Sequence, residues 1–385
     1  MRHSHTSTGT EHSQRLRRLR RAMREEGVDA LLITHLPDIR YLCGFSGSNG
    51  ALALAAKEAI LFTDGRYTVQ AAQETRAARV RIAAKSAQGE ACAWLAASGA
   101  AHCGFDASHT TVADLDLFRR SVVQARGVQA RGVQARSRAG GARFFRALSA
   151  PLVHNLRMIK DAGELKLIER AAHLGVKLFT DLLPRVHAGM PESELAGMLE
   201  LAARMHGADG MSFDTIVASG PRSSLPHGHA TSRPLPRRGF VTLDFGVILN
   251  GYCSDMTRTF FLGKATRRER FAYDSVREAQ RAAVDIVRPG VSCGEVDEAA
   301  RSVLRKAGLA DFFTHSTGHG VGLEIHEAPR LAAAEQQRLV SGMVITIEPG
   351  VYLPGRFGVR IEDMVAVTGD GARVLTPAPT AWTEL

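Results

Sequence analysis

Residues 240–262 constrain this chain more than any other stretch. Two apolar runs, 240–248 and 252–262, flank Asn250-Gly251. That dipeptide favours a two-residue hairpin turn, because the turn needs positive φ at both central positions. Val241, Leu243 and Phe245 alternate with Thr242 and Asp244. Asp244 therefore faces away from the layer that the apolar three would join. Folding about Asn250-Gly251 brings Asp255 back alongside Asp244, so both aspartates can reach one metal pair. The pattern recurs near the end of the chain. Ile345 and Ile347 share one strand face while Glu348 points to the other, and Ile361 opposes Arg360 and Glu362.

His319, in TGHGVG, joins these four acids. Four carboxylates and one imidazole make a hard, oxygen-rich donor set. Such a set suits two divalent cations of the manganese, cobalt or zinc kind better than a structural zinc, which prefers thiolate and imidazole. Paired dications activate water and polarise a carbonyl, so the expectation is a dinuclear metallohydrolase. Gly318, Gly320 and Gly322 around His319 suggest close backbone approach.

A chain of 385 residues has room for two domains, and 45% apolar with 23% charged residues is ordinary for a globular protein. No run approaches the roughly 18–20 apolar residues that cross a bilayer. The first 26 residues lack the apolar centre of a secretory signal, which gives a cytoplasmic expectation. Five cysteines, odd in number and without C-x-x-C spacing, argue against a disulfide framework or thiolate metal site. The formal charge of +10 is concentrated at Arg15, Arg17, Arg18, Arg20, Arg21 and Arg24 and again between Arg119 and Arg146. Leu16, Leu19 and Met23 fall at helical spacing within the first cluster, so its arginines read as the solvated face of an amphipathic helix. No stacking module or helix-turn-helix pattern accompanies the charge, and no nucleic-acid partner is expected.

The chain reads as three segments: a polar, disordered tail (1–12), an α/β domain (13–150) and an α+β domain (151–385). Ser13 is placed to cap a helix that runs to about Glu26 and closes at Gly27. Strands are expected at 28–34 and 59–64, with a glycine-rich bend inside 39–56 and a helix opening at Gly65-Arg66-Tyr67. VQAR recurs at 123–126, 128–131 and 133–136. A five-residue period matches neither helix nor strand, so it reads as a small expansion in an exposed loop or helix end. After a join at 149–157, Asp161 with Glu164 makes a capping box. Its helix runs to about Val186, and the next runs from near Pro191 to Met205. Further helices are expected at 266–287 and 294–307, and strands at 213–218, 343–348, 359–367 and 372–375. This gives helices packed on a curved, antiparallel-rich sheet.

From about residue 14 to the end, the sequence resembles the pita-bread metallopeptidases that cleave next to proline, the Xaa-Pro aminopeptidases and Xaa-Pro dipeptidases (prolidases). GPRSSLPHG, VTLDFG, YCSDMTRTF, TGHGVGLEIHE, ITIEPGVY and GVRIEDM stand in the family's order, and IRYLCGFSGSNG and LFTDGRY resemble its first domain. The resemblance implies a creatinase-like α/β domain followed by a pita-bread domain, α+β overall. It implies two divalent ions, manganese foremost, with cobalt or zinc as alternatives. Asp244 and Asp255 would hold one ion, with Asp255 reaching the second. His319 would complete the second site, and Glu348 and Glu362 would serve both, Glu362 as a bridge. Glu348 would also take the proton of the attacking water. His227 and His326 would steady the substrate carbonyl and the tetrahedral intermediate, and the LPHG context selects His227 over His229. His315 would lie near the substrate, and Arg360 would pair with a ligand carboxylate or the substrate end. The implied reaction is cleavage between an N-terminal residue and proline at position 2, of aminopeptidase type, with the dipeptidase as the alternative and a homodimer as the assembly. Among other pita-bread proteins, methionine aminopeptidase lacks the long first domain. Creatine amidinohydrolase dispenses with the metals, and non-enzymatic binding modules lose ligands that this chain keeps.

Overall fold

A computed structural model describes residues 9–129 and 144–385. The chain divides into two compact units between Arg157 and Met158. The first is a six-stranded sheet ordered Arg79–Ile82, Ala59–Thr63, Ala51–Leu54, Ala30–Ile33, Cys103–Phe105 and Phe145–Ala147. Ala51–Leu54 runs antiparallel to both its neighbours, and the other pairings are parallel. Its three central strands are buried along their whole length, the mark of a sheet covered on both faces. A buried ion pair between Asp38 and Arg157, 2.7 Å apart, ties the Leu152–Met158 helix to this unit.

The first helix runs Gly9–Glu25, so it starts four residues before the expected cap. Ser13 is not a cap. Its hydroxyl donates to the Gly9 carbonyl at 2.7 Å, the back-bond that a serine makes within a helix. Residues 1–8 of the expected tail lie outside the described residues, whereas 9–12 are helical. Leu16, Leu19 and Met23 are buried as the spacing required, and Arg17, Arg18, Arg21 and Arg24 are exposed. Arg15 departs from the expected solvated face. It is buried, lies over the Tyr41 ring at 4.2 Å and donates to the Tyr41 carbonyl at 2.8 Å. The first VQAR repeat continues the helix Val112–Gln129, and the third lies outside the described residues, as does half of the second.

The second unit is antiparallel in every named strand pairing. Asn250 (φ 52°) and Gly251 (φ 80°) form the expected turn, both in the left-handed region that such a turn requires. Beyond it, Gly239–Phe245 pairs with Met256–Leu262, and Ile216–Ser219 lies on the other side of Gly239–Phe245. A five-stranded sheet is ordered Glu327–Leu331, Gly318–Gly320, Val344–Ile347, Asp363–Val367 and Ala372–Val374. Ile345 and Ile347 enter a core formed with the helices Arg267–Asp285 and Cys293–Lys306, through Val276, Ala279, Val296 and Leu304. Burying each large apolar chain there contributes about 1.5–3 kcal/mol. The helix Ala162–Leu182 opens with the capping box of Asp161 and Glu164, and Pro191 stands immediately before Glu192–Met205 without a side-chain capping bond.

The expected strand 359–367 is two strands. Phe357–Arg360 pairs with Gly350–Leu353, and Asp363–Val367 pairs with Val344–Ile347. The chain changes sheets at Ile361-Glu362, and again at Glu348-Pro349, where proline cannot donate to a ladder. Likewise Asp255 sits between Tyr252–Cys253 and Met256–Leu262. Three of the five acidic or imidazole candidates thus occupy ladder breaks, where side chains from different sheets can converge.

Candidate metal centre

Backbone hydrogen bonds fix the positions of Glu348, Glu362 and His319. The Glu348 N–H donates to the Thr317 carbonyl at 2.8 Å, and the Glu362 N–H to the Thr257 carbonyl at 3.1 Å. His319 stands at a register shift in the Gly318–Gly320 strand, and its N–H donates to Thr346 Oγ1 at 3.1 Å. The flanking glycines permit that approach. A Cβ at Gly318 would lie 1.9 Å from the Thr346 carbonyl oxygen, and one at Gly320 2.2 Å from that of Ala328.

These constraints bring the five residues together. Asp255, His319 and Glu362 each offer a donor atom within 4.8 Å of the others. His319 Nε2 lies 3.6 Å from Asp255 Oδ2 and 3.5 Å from Glu348 Oε1. His319 Nδ1 faces its Gly320 neighbour's carbonyl at 3.0 Å. Nδ1 therefore carries the ring proton, leaving the Nε2 lone pair aimed at the carboxylates, the tautomer a metal-binding imidazole needs. Burial holds the His319 pKa down to about 4, so the ring is neutral.

Asp244 acts electrostatically on Asp255, Glu348 and Glu362, and its Oδ2 accepts from Arg360 Nη2 at 2.5 Å. Arg360 also donates to Thr257 Oγ1 at 3.1 Å, to the Pro226 carbonyl at 3.0 Å and to the Tyr352 hydroxyl at 2.7 Å. Burial works against its charge, but Tyr352, Asp244 and Glu348 outweigh that and hold the guanidinium firmly protonated.

One cation among four carboxylates is not enough. Burial pushes Glu348 up to about 8, against the pull of Arg360 and with the push of Asp244. Burial also raises Asp255 well above the usual range, reinforced by Glu362, Asp244 and Glu348. Glu362 is raised likewise, by burial and then by Glu348 and Asp244. Asp244 Oδ1 and Glu362 Oε1 are buried without a hydrogen-bond partner among the described residues. A buried carboxylate oxygen left unsatisfied is costly unless something positive completes it. The donor set, its excess negative charge and these two oxygens fit divalent cations.

The histidines lie around the cluster. His326 is exposed and meets His319 ring to ring at 4.4 Å, inclined 72°. Burial lowers its pKa, and nearby His227 lowers it further. The exposed His227 also acts on His315, so the three imidazoles share one electrostatic neighbourhood. His315 is held neutral by burial, its pKa down to about 4, with Nε2 at 2.9 Å from the Tyr352 hydroxyl. His229 is exposed, and its carbonyl accepts from Arg222.

Tyr352 is the residue that sequence reasoning missed. Its hydroxyl joins Arg360 to His315, and its own pKa is raised by burial to about 12. It lies in the ITIEPGVY motif, and the available signal was a phenol flanked by Val351 and Leu353, which alternate into the core.

Comparison with known proteins agrees with this geometry. Residues 166–369 match the metallopeptidase family M24, and residues 15–139 match the creatinase/prolidase N-terminal domain. The chain is 44% identical over 225 residues to an Xaa-Pro dipeptidase of Pyrococcus furiosus, covering 58% of this chain and 65% of that one. An Xaa-Pro dipeptidase structure from Bacillus anthracis superposes with a TM-score of 0.89 at 35% identity, over 97% of this chain and 100% of that one. An X-Pro aminopeptidase structure from Thermotoga maritima gives 0.83 at 34% identity, over 95% and 100%. With both domains matched and the acidic centre assembled inside the second, the chain belongs to metallopeptidase family M24 and is a hydrolase with a creatinase/prolidase N-terminal domain ahead of a pita-bread unit.

Proposed function

We propose that this chain hydrolyses the peptide bond between an N-terminal residue and proline at position 2, using two divalent ions, as an Xaa-Pro aminopeptidase. The observation that carries the reading is the convergence of Asp244, Asp255, His319, Glu348 and Glu362 with two buried, unpartnered carboxylate oxygens. Asp244, Asp255, His319, Glu348 and Glu362 would hold the ions, probe metals being manganese first, then cobalt and zinc. Bound dications would supply Lewis acidity, polarising the scissile carbonyl and acidifying water.

The chain's own residues do the rest. Glu348, whose Oε1 lies 3.5 Å from His319 Nε2, accepts the proton of the attacking water and passes it on to the leaving proline nitrogen. His326 and His227, at the rim, orient the carbonyl and donate to its oxygen as charge develops there. Arg360 pairs with Asp244 and aligns it, and Tyr352 locks Arg360 from the other side while holding His315. Proline has no amide hydrogen and a fixed φ, so this bond needs a dedicated site.

The dipeptidase is the second reading, favoured by the names of the relatives from P. furiosus and B. anthracis. SGSNG and TDGRY in the first domain favour the aminopeptidase branch. We further infer a homodimer in the cytoplasm. In keeping with that location, no helix among the described residues is long and apolar enough to cross a membrane. The test is the rate on Ala-Pro against Ala-Pro-Ala after chelation and reloading with each metal. Turnover of the tripeptide at least as fast as the dipeptide supports the aminopeptidase. Activity on Ala-Pro alone supports the dipeptidase, and no metal-dependent turnover of either overturns both.

A further inference from the structure

Three buried carboxylates outside the acidic centre follow one pattern. Each is paired with a cation, and each gathers the backbone of a loop that carries one of the three histidines.

Glu192, at the start of the Glu192–Met205 helix, has a fully buried side chain. Its Oε1 accepts from the Ser219 N–H at 2.9 Å and the Ser219 hydroxyl at 2.8 Å. Its Oε2 accepts from Arg222 Nε at 3.2 Å, the Thr231 N–H at 3.2 Å and the Thr231 hydroxyl at 2.6 Å. Arg222 in turn donates to the His229 carbonyl at 2.6 Å. One carboxylate therefore clamps both ends of loop 219–231, with His227 between them.

Asp297, on the Cys293–Lys306 helix, is 0% exposed. Its Oδ1 accepts from the Thr317 N–H at 3.2 Å and the Thr317 hydroxyl at 2.8 Å. Arg301, one turn on, binds both its oxygens, at 2.6 and 3.2 Å. The same guanidinium donates to the carbonyls of Phe313 at 3.2 Å and His315 at 2.6 Å. Segment 313–317 is thereby held at both ends, with His315 inside.

Glu327 pairs with Lys160 at 3.1 Å, both side chains 1% exposed. Its other oxygen accepts from the Glu324 N–H at 3.1 Å. A Cβ at Gly322 would lie 2.5 Å from Glu327 Oε2, so the loop passes directly over the carboxylate. The segment 322–326, which ends at His326, is pinned from below.

Buried ion pairs contribute little net stability when compared with apolar packing of the same volume. Three buried carboxylates with cation partners, one pair wholly buried and two with part-exposed arginines, each bonded to main chain beside a different histidine, call for another explanation. Groups that act on a reacting carbonyl must be held within about 0.5 Å, and residues on loops need outside support for that. We propose that Glu192, Asp297 and Glu327, with Arg222, Arg301 and Lys160, are positioning residues that set His227, His315 and His326 respectively for catalysis. The inference rests on the Xaa-Pro hydrolase reading given above.

The test uses the full chain, metal-reloaded, with whichever of Ala-Pro and Ala-Pro-Ala it turns over faster as substrate. Glu192→Gln, Asp297→Asn and Glu327→Gln are combined with His227→Ala, His315→Ala and His326→Ala in all nine pairings. Each amide variant alone should lower kcat about 10–100-fold, with KM and metal content near wild type. The three cognate pairs should be no slower than the histidine variant alone, while losses in the six non-cognate pairs multiply. In the metal-free protein, the imidazole C–H resonances of only the cognate histidine should move. Should an amide variant fail to fold, Arg222→Lys, Arg301→Lys or Lys160→Arg keeps the charge while displacing the donor geometry, and the same cognate pattern is required. Losses that multiply in the cognate pairs of an active enzyme would overturn the inference and leave the Xaa-Pro reading standing. Histidine variants as fast as wild type would likewise overturn the inference alone, whereas a wild-type chain without metal-dependent turnover would overturn both.

Discussion

Removing the metals should make the stability of the second unit fall as pH rises, and loading them should abolish that fall. In the metal-free protein Glu348 sits at about 8 against an ordinary 4.5, and Asp255 and Glu362 are raised too. A carboxyl whose folded pKa exceeds its unfolded value contributes stability below the unfolded pKa, and that contribution is lost as pH climbs towards the folded one. The buried histidines have the opposite sign. His319 and His315 drop from 6.5 to about 4, so they gain stability as pH rises between those values and add nothing further above 6.5. The clean window is therefore pH 6.5–8. At about 1.4 kcal/mol per tenfold change in proton affinity, Glu348 alone costs the metal-free protein about 2 kcal/mol across it. For a domain of this size that is a Tm loss of roughly 4–8 °C. The assay is thermal denaturation in chelator and in saturating manganese at half-unit pH steps, for wild type and Glu348→Gln. The metal-free wild type should slope downward, the loaded enzyme should be flat, and the variant's metal-free slope should be shallower. A flat metal-free curve, or a variant as steep as wild type, would show that the acidic centre is not electrostatically overloaded.

Asp255→Asn should raise the Tm of the metal-free protein at pH 8 by removing a like charge from the cluster, while abolishing turnover and lowering metal content. Elemental analysis and calorimetry check this, and a lower metal-free Tm would contradict it. Tyr352→Phe removes the hydroxyl that joins Arg360 to His315, so it should cost about 1–2 kcal/mol of stability and lower kcat with metal content intact. Unchanged kinetics would leave the phenol with a packing role only. Gly318→Ala should destabilise the second unit by about 3 kcal/mol or more, because its methyl meets a backbone carbonyl at 1.9 Å with no rotamer to relieve it. A urea midpoint near wild type would refute that close approach.

Part of the centre was legible because a ligand on a strand obeys a period of two. Asp244 and Thr242 opposite Val241 and Leu243, and the positive-φ turn at Asn250-Gly251, follow from local rules that need no partner. The capping box at Asp161 and Glu164 was readable for the same reason. What failed were places where long-range contacts override local pattern. Ser13 looks like a cap, yet the helix extends back to Gly9. Arg15 belongs by spacing to a polar stripe, yet the Tyr41 ring and carbonyl 26 positions away draw it inside. The run 359–367 looks continuous, yet its two halves pair with different partners.

The sequence by itself thus determined which side chains offer metal donors and which strand face Asp244 takes, since donor type and strand alternation are local properties. Only the tertiary structure decided how they are held. The break at Ile361-Glu362, the Tyr352 link between Arg360 and His315, and the three buried anchors under the histidine loops join residues up to 167 positions apart. No local pattern encodes a partner at that distance, because the pairing exists only once the sheets and helices have packed.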